Sequence, residues 1–329
     1  ASRVLNQMHA VSSPVKLIET VNFCQGLSDT KCEITITQDL EFSDAHSLDD
    51  KSAIYVFQSK IEFRSNSQQL VKIKAVQSKQ IRIFHLKESE VRLHNLNIMT
   101  GSVIGNGGGL KIEKGNVEIV NCIIEANQAF IGGGLYISNG ASVQMTSCEI
   151  KENTVEEEGH VGGVGGIYVD NGNLNLTSCK VSVNWGSGIY VTNSLSTLHM
   201  DNCYVYNNGE EDGVFLNGGG IHLHGGYGVI TSSNFTKNYA TSGEQIPEPG
   251  VHVLHVGSGG GIHIGQFASA SIHDCRFDKN EGGMGGAIAV LGKLKVYSST
   301  IDKNYAVAMP PQIVEDATVP VSRSLLVEA

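Results

Sequence analysis

Apolar and polar residues alternate in short segments that recur along the chain. Each segment holds a pair of apolar residues separated by one position that is mostly polar. Five such pairs are Val117 and Ile119, Val143 and Met145, Leu174 and Leu176, Leu198 and Met200, and Leu294 and Val296. A period of two is typical of half-buried β-strands. Because helical three-to-four periodicity is absent throughout, the pattern predicts an all-β protein.

A repeat connects these segments. Each one is followed by a Cys or Ser, by an apolar residue two positions later, and by an Asn three positions after that. The Cys or Ser positions are Cys122, Cys148, Cys179, Cys203, Ser233, Cys275 and Ser299. The Asn positions are Asn127, Asn153, Asn184, Asn208, Asn238, Asn280 and Asn304. Repetition at a fixed offset predicts a solenoid.

Insertions are confined to one side of this repeat. The interval from each glycine run to the next Cys or Ser is nearly constant, whereas the interval from there to the following glycine run varies widely. Stacked segments must keep register while one edge can extrude loops, so the pattern predicts a single-stranded parallel β-helix. We expect Cys to be a slim buried residue, and Asn to occupy a left-handed turn with its amide bonded to the next Asn.

Three short motifs resemble a known group. Gly285-Gly286-Ala287-Ile288 matches a GGA(I/L/V) motif, and the segments 235–238 and 277–280 match FxxN. They are similar to the repeats of chlamydial polymorphic outer-membrane protein passenger domains and of the wider pectin-lyase-like β-helices. The resemblance implies a right-handed β-helix and an extracellular or cell-surface protein that is structural or adhesive.

The repeat divides the chain into three predicted parts. Residues 1–90 contain short β-segments without glycine signatures and are expected to form an N-terminal cap with irregular first coils. Residues 91–305 are expected to form about seven regular coils. Residues 306–329, which contain Pro310, Pro311 and Pro320, are predicted to be an exit segment or a linker.

The formal net charge of −10 narrows the choice of partners. Binding nucleic acid requires clustered Lys and Arg, which this chain lacks, so we expect a carbohydrate or protein partner, or other copies in a larger assembly. No apolar stretch approaches the roughly 20 residues of a membrane span. No cofactor is predicted, and Ca²⁺ or Zn²⁺ are the open alternatives.

Three long loops leave the same edge of the predicted solenoid. They carry Glu156, Glu157, Glu158 and His160, then Glu210, Glu211 and Asp212, then Glu244 and Glu248. Between the first two loops lies a short turn with the only tryptophan, Trp185. We expect a notch with an indole floor, which binds the partner, because loops on a rigid scaffold commonly carry function. Solvation of the surface is the alternative role of the acidic loops.

A second candidate is an outward column one residue past the apolar residue that follows each glycine run. Its members are Lys111, Tyr136, Tyr168, Tyr190, His222, His263 and Ala289. The aromatic rings could form a sugar-stacking ladder, or they could stack only on one another along the sheet. His222, His224 and His263 could also bind Zn²⁺ with an open coordination position, helped by His252 and His255 from the adjacent loop.

An enzyme of the pectin-lyase-like superfamily is the alternative function. Polysaccharide lyases, epimerases and hydrolases need paired carboxylates, or a Ca²⁺ site beside an Arg or Lys base. The repeat region contains only Arg92 and Arg276 and no Asp-Asp pair. We therefore name no catalytic residues and favour a non-catalytic role.

Two further features concern the compartment of the protein. Cys24 and Cys32 lie outside the Cys column and are eight residues apart, so they could form a disulfide over the end of the helix or remain two free thiols. Asn175 and Asn234 each begin an Asn-x-Thr sequence at a position predicted to face outward, which predicts glycosylation in a secreted eukaryotic protein.

Overall fold

The computed structural model describes residues 7–27, 30–46, 50–65, 69–77, 80–155, 163–209, 217–240 and 257–306. Within these ranges the chain forms one helix, α1 (Pro14–Gln25), and short strands. The strands are β1 (Gln7–Val11), β2 (Lys31–Ile36), β3 (Leu40–Phe42), β4 (Ser52–Phe57), β5 (Lys60–Ser65), β6 (Val71–Ala75), β7 (Arg82–His94), β8 (Leu96–Met99), β9 (Ser102–Asn106), β10 (Leu110–Val120), β11 (Ile123–Glu125), β12 (Gln128–Ile131), β13 (Leu135–Ser138), β14 (Ser142–Thr146), β15 (Glu149–Lys151), β16 (Thr154–Val155), β17 (Ile167–Asp170), β18 (Asn173–Thr177), β19 (Lys180–Ser182), β20 (Ile189–Thr192), β21 (Thr197–Asp201), β22 (Tyr204–Tyr206), β23 (Ile221–Thr231), β24 (Asn234–Thr236), β25 (Tyr239–Ala240), β26 (Ile262–His273), β27 (Arg276–Asp278), β28 (Glu281–Gly282), β29 (Ile288–Val290), β30 (Lys293–Tyr297), β31 (Thr300–Asp302) and β32 (Tyr305–Ala306).

These strands wind into a right-handed parallel β-helix, as the repeat predicted. A 16-stranded sheet contains the strands that follow the glycine runs, and a 10-stranded sheet in the order β3-β6-β8-β11-β15-β19-β22-β24-β27-β31 contains one strand from each coil. A third face is made of two separate sheets, β16-β12-β9 and β25-β28-β32. The described residues therefore form about ten coils.

The stack is longer than the seven coils expected, because it extends into the N-terminal region. β2 pairs with β5 and β5 with β7, all in parallel register, although none of these strands has a glycine signature. β7 also pairs with β10 over ten positions and spans residue 90. The alternation of apolar residues was sufficient for stacking, and the glycines only mark the coils with tight turns.

Helix α1 contradicts the expectation that no helix is present. Ser13 caps it, because its hydroxyl accepts a hydrogen bond from the main-chain N–H of Lys16 at 3.2 Å, and Pro14 occupies the first turn. Leu17, Val21 and Cys24 are buried at helical spacing. The helix has only about three turns, so its helical periodicity was too short to distinguish from the apolar pattern of the neighbouring strands.

Within the described residues, no helix has the length and apolar character needed to cross a bilayer.

The Asn positions form a continuous buried ladder. The side-chain amide of Asn153 donates to the side-chain oxygen of Asn184 at 3.0 Å and to the carbonyl of Ile124 in the preceding coil at 3.0 Å. The same bonds recur from Asn127 to Asn304. The left-handed residue in each turn is the one before the ladder position, such as Val183 with φ 55°, so the expectation that Asn itself is left-handed was wrong. The ladder position therefore requires the hydrogen bonds of the Asn side-chain amide, and not a residue that tolerates left-handed backbone.

The Cys column is buried and reduced, as expected. Cys122, Cys148, Cys179, Cys203 and Cys275 are all free and buried. Each thiol also donates to a carbonyl two residues earlier, as Cys148 does to Thr146 at 3.3 Å, and the hydroxyl of Ser233 donates to Thr231 in the same way at 2.7 Å. Ser can therefore replace Cys because the column also requires a donor. Burial raises the pKa of Cys122 to about 12, so this thiol stays protonated.

Stacked phenylalanines provide a test of the inward positions. Phe277 is fully buried and stacks on Phe235 with ring centroids 4.8 Å apart. We expect Phe277→Ala to lower the free energy of unfolding by about 3 kcal/mol or more, because it leaves a cavity. The exposed variant Lys295→Gln should lower it by less than about 0.5 kcal/mol. Chemical denaturation measures both values, and equal losses would mean that the assignment of inward and outward faces is wrong.

The ladder gives a second prediction. Asn184→Ala removes the acceptor for the main-chain N–H and side-chain amide of Asn153, which bond to it at 3.1 and 3.0 Å. Leaving these donors unsatisfied in the core should cost about 3 kcal/mol in the free energy of unfolding. Asn175→Ala, at a partly exposed asparagine outside the ladder, is the control and should cost less than about 0.5 kcal/mol. An Asn184 variant as stable as this control would show that the ladder contributes little.

Candidate functional site

The outward column predicted from the repeat runs in register along the large sheet. Its members are Tyr55, His85, Lys111, Tyr136, Tyr168, Tyr190, His222, His263 and Ala289. Tyr55 and His85 extend it into the N-terminal coils, where no glycine run precedes them to mark the alignment. The column has an aromatic middle between a histidine end and a charged end.

The tyrosines in the middle stack face to face. The ring centroids of Tyr136 and Tyr168 are 5.5 Å apart with an interplanar angle of 8°, and those of Tyr168 and Tyr190 are 5.1 Å apart at 3°. Burial raises the pKa of all three hydroxyls, so they remain neutral. A sugar needs a free aromatic face, and both faces of Tyr168 are covered by its neighbours. This geometry favours stacking within the column over the sugar-stacking ladder.

The histidine end is buried and neutral. His222 lies edge-on to Tyr190 and to His263, with ring centroids 4.5 and 4.7 Å away. Nδ1 of His263 lies 2.7 Å from the hydroxyl oxygen of Ser258, which donates to the side-chain oxygen of Asn217 at 2.8 Å, so Ser258 accepts from His263. Burial and the neighbouring imidazoles hold the pKa of His222 well below its usual range and lower that of His263 to about 4.

The zinc hypothesis gains no support from these histidines. Among the residues that the structure describes, the one group of three potential ligand atoms within 4.8 Å of one another belongs to His9, Cys24 and Cys32. Cys24 and Cys32 form a disulfide, which removes both sulfurs as thiolate ligands. His252 and His255 lie outside the described residues.

The charged end is a network that the sequence analysis missed. His85 lies between two carboxylates, because its Nδ1 contacts Asp50 and its Nε2 lies 2.6 Å from Glu113. Arg82 reaches Asp50 at 2.7 Å, and the ammonium of Lys111 lies 3.2 Å from Glu113. His85 stands between Phe84 and Leu86 as Lys111 stands between Leu110 and Ile112. This alternation of apolar residues around one polar residue could have placed His85 in the outward column from the sequence.

Both carboxylates of this network stay ionised. Burial alone would raise the pKa of Asp50, but the hydrogen bond from His85 and the charge of Arg82 hold it well below its usual range. Burial likewise opposes ionisation of Glu113, and the charge of Lys111 and the hydrogen bond from His85 outweigh it, so its pKa is lowered. The network therefore pairs opposite charges and contains no neutral carboxyl group that could act as a general acid near neutral pH.

Trp185 lies where the third face is interrupted. No strand fills this face between β16 and β25 in the described part of the chain. The indole is half-buried, and a Cβ at Gly163 would lie 2.4 Å from its Cζ3 atom and 2.7 Å from Val155, so the ring packs against Gly163. On the other side, the main-chain N–H of Gly209 donates to the carbonyl of Asn184 at 3.3 Å.

The roots of two predicted acidic loops therefore flank Trp185. Gly163 follows the segment 156–162, which contains Glu156, Glu157, Glu158 and His160, and Gly209 precedes the segment 210–216, which contains Glu210, Glu211 and Asp212. These loop residues lie outside the described ranges, as do Glu244 and Glu248. The structure thus places Gly163, at the end of the first loop, against the indole, and Gly209, at the start of the second, beside the main chain of Asn184, the residue before Trp185.

The predicted modification sites lie on strands of the stack. Asn175 lies on β18 and Asn234 on β24, and both side chains are partly exposed. Cys24 at the end of α1 is bonded to Cys32 on β2. The disulfide thus ties the capping helix to the first coils.

Comparison with known proteins agrees with this architecture. A family model described as the right-handed beta helix region matches residues 83–258, more than half of the chain. The chain belongs to the right-handed β-helix family. No individual curated protein matches it. Among solved structures, this family member is similar to the crystal structure of pectate lyase Pel9A, with a TM-score of 0.54, 10% sequence identity, and coverage of 94% of this chain and 80% of that chain. At this identity the likeness shows the fold alone.

The buried histidines make the stability of this family member depend on pH. A lowered folded-state pKa means that the unfolded chain binds more protons below pH about 6.5, so stability should fall as the pH decreases from there to about 4. The shift of His263 corresponds to at most roughly 3 kcal/mol. Unfolding free energies across this range should change less steeply in the double variant His222→Gln and His263→Gln. The exposed His199→Gln should retain the wild-type slope, and a double variant with that same slope would contradict the prediction.

Proposed function

We propose that the chain is a non-catalytic binding protein of the cell surface or extracellular space. The observation that carries the proposal is the position of Trp185, half-buried at the interruption of the third face and flanked by Gly163 and Gly209 at the roots of two acidic loops. We call Trp185 with these two loops the Trp185 edge. A half-buried indole supplies the large apolar platform that binding sites commonly use.

Charge indicates the kind of partner that the Trp185 edge prefers. The segments 154–164 and 209–217 contain Glu156, Glu157, Glu158, Glu210, Glu211 and Asp212 and no Lys or Arg. Such a segment attracts Ca²⁺ or a basic protein surface and repels acidic glycans. A neutral carbohydrate could also pack on the indole. The partner proposed here is therefore a basic protein or a neutral glycan, with Ca²⁺ as an accompanying cation.

The motif resemblance supports a surface location. Phe235 and Phe277 of the FxxN motifs stack in the core, and Asn238 and Asn280 belong to the Asn ladder. Passenger domains of the chlamydial group that these motifs resemble are adhesive or structural. The disulfide between Cys24 and Cys32 supports an oxidising compartment, where Asn175 and Asn234 would be available for glycosylation.

A polysaccharide lyase, epimerase or hydrolase is the second candidate. The network of Asp50, His85, Lys111 and Glu113 favours it, since it brings carboxylates and bases together on one face. Those groups are paired with one another, which is why we prefer the binding role. Release of new chain ends from pectate or other glycans by the purified protein, with loss of that release in Lys111→Gln, would favour the enzyme.

The only tryptophan makes the binding proposal directly measurable. Titration with a lysine-rich peptide, Ca²⁺ and neutral oligosaccharides should change the Trp185 fluorescence for at least one of them. Trp185→Ala should weaken that binding, measured by calorimetry, by about tenfold or more. Tyr204→Ala, at an exposed aromatic residue outside the Trp185 edge, should leave the affinity unchanged.

A separate variant tests how much the negative charge of the loop at Glu156, Glu157 and Glu158 contributes to binding. Neutralising the acidic loop with Glu156→Gln, Glu157→Gln and Glu158→Gln should weaken binding of the lysine-rich peptide and reduce its salt dependence. The matched control neutralises Glu41, Glu90 and Glu118 in the N-terminal coils. Binding that survives both the loop variant and Trp185→Ala would exclude the Trp185 edge as the site.

A further inference from the structure

A surface cavity of about 330 Å³ opens beside the charged network in the N-terminal coils. Its lining residues are Asp50, Lys51, Arg82, Val103, Ile104, Gly105, Asn106 and Lys111. The cavity lies against β9, where the pairing with β12 shifts register between Ala129 and Ile131. A bulge of this kind moves the chain away from regular pairing and leaves space at the rim of a sheet.

The lining is positively charged although the chain as a whole is acidic. Lys51, Arg82 and Lys111 face the cavity, against the single carboxylate of Asp50. That carboxylate is already bound to Arg82 at 2.7 Å and contacts His85, and Glu113 behind it is paired with Lys111. The ammonium of Lys111 lies 3.9 Å from Asp50, and that of Lys51 donates to the side chain of Gln80 at 3.0 Å. Among the described residues at this cavity, the negative groups are thus paired, and positive charge remains.

Arg82 supplies a buried donor at this cavity. The side chain is 3% exposed, and its Nε and Nη1 donate to main-chain carbonyls, to Ser52 and to Asp50. Nη2 donates to the carbonyl of Asn106 at 2.9 Å. Each terminal guanidinium nitrogen carries two hydrogens, so one N–H of Nη2 has no acceptor within the described ranges. This second N–H can therefore donate to a ligand oxygen in the cavity.

Gly105 keeps this donor accessible. Its φ is +148°, and a Cβ built on it would have a single neighbour within 4 Å, Nη2 of Arg82 at 4.0 Å. A side chain at this position would therefore project towards the guanidinium. Because Gly105 has none, the space beside Nη2 is open to the cavity.

We propose that this cavity is a binding site for a small oxyanion group: a phosphate, a sulfate, or a carboxylate carried by a larger molecule. Lys51 and Lys111 provide the attraction, and Nη2 of Arg82 provides the directed hydrogen bond that fixes the group. The site does not depend on the proposed role of the Trp185 edge, since the two sites share no residue.

Calorimetric titration of the whole chain with inorganic phosphate and sulfate, against chloride at equal ionic strength, tests the proposal. Phosphate or sulfate should bind with measurable heat, and Lys51→Gln and Lys111→Gln should each weaken the binding about tenfold. Lys295→Gln, at an exposed lysine outside the cavity, should bind as the wild type does. Lys51 is exposed, so its variant should fold normally even if Lys111→Gln is destabilised.

A second set of titrations, with glucose 6-phosphate and glucuronate, distinguishes a free ion from an anionic group carried by a larger molecule. Tighter binding of either sugar than of the free ions identifies the ligand as a group on a larger molecule, and equal binding identifies a site for the free ion. An absence of heat for all four ligands, or equal affinity in the wild type and Lys51→Gln, overturns the proposal.

Discussion

The structure depends on one constraint: each coil must lie in register on the next, about 4.8 Å away. At that distance a buried polar group can be satisfied by the same group one coil later. The ladder from Asn127 to Asn304 does this, because each amide donates forward to the next Asn and back to a carbonyl. In the Cys and Ser column, Ser233 donates to a carbonyl of its own coil and accepts from the main-chain N–H of Cys203 in the preceding coil. Both ladders therefore explain why the repeat tolerates so few substitutions.

A regular stack leaves function to the places where regularity fails. The third face is broken between β16 and β25, and Trp185 occupies the break. Another irregularity is the shifted pairing of β9 with β12, and β9 lines the cavity beside Arg82. By contrast, the tyrosine column is regular, and its rings cover one another. Repetition thus stabilises the aromatic column and at the same time removes the free ring faces that a ligand would need.

The outward column also shows how one face can hold different chemistry at each end. At one end His222 and His263 are buried with no carboxylate partner among the described residues, so the neutral imidazole has the lower free energy. At the other end His85 lies between Asp50 and Glu113, and contacts with His85, Arg82 and Lys111 keep those carboxylates ionised. Position along the stack therefore determines the electrostatic surroundings of each side chain, because the neighbours above and below differ.

The sequence by itself determined the parallel β-helix, the buried Cys and Asn columns and the line of outward aromatic residues, because fixed offsets in the repeat become columns in space. It did not reveal α1 or the regular stacking of the N-terminal coils, which it expected to be irregular because their short strands carry no glycine runs. Only the tertiary structure brought Asp50, Arg82, His85 and Glu113 together, since they come from three coils with no shared motif. Periodicity predicts what repeats, whereas a unique site arises from contacts between residues distant in sequence.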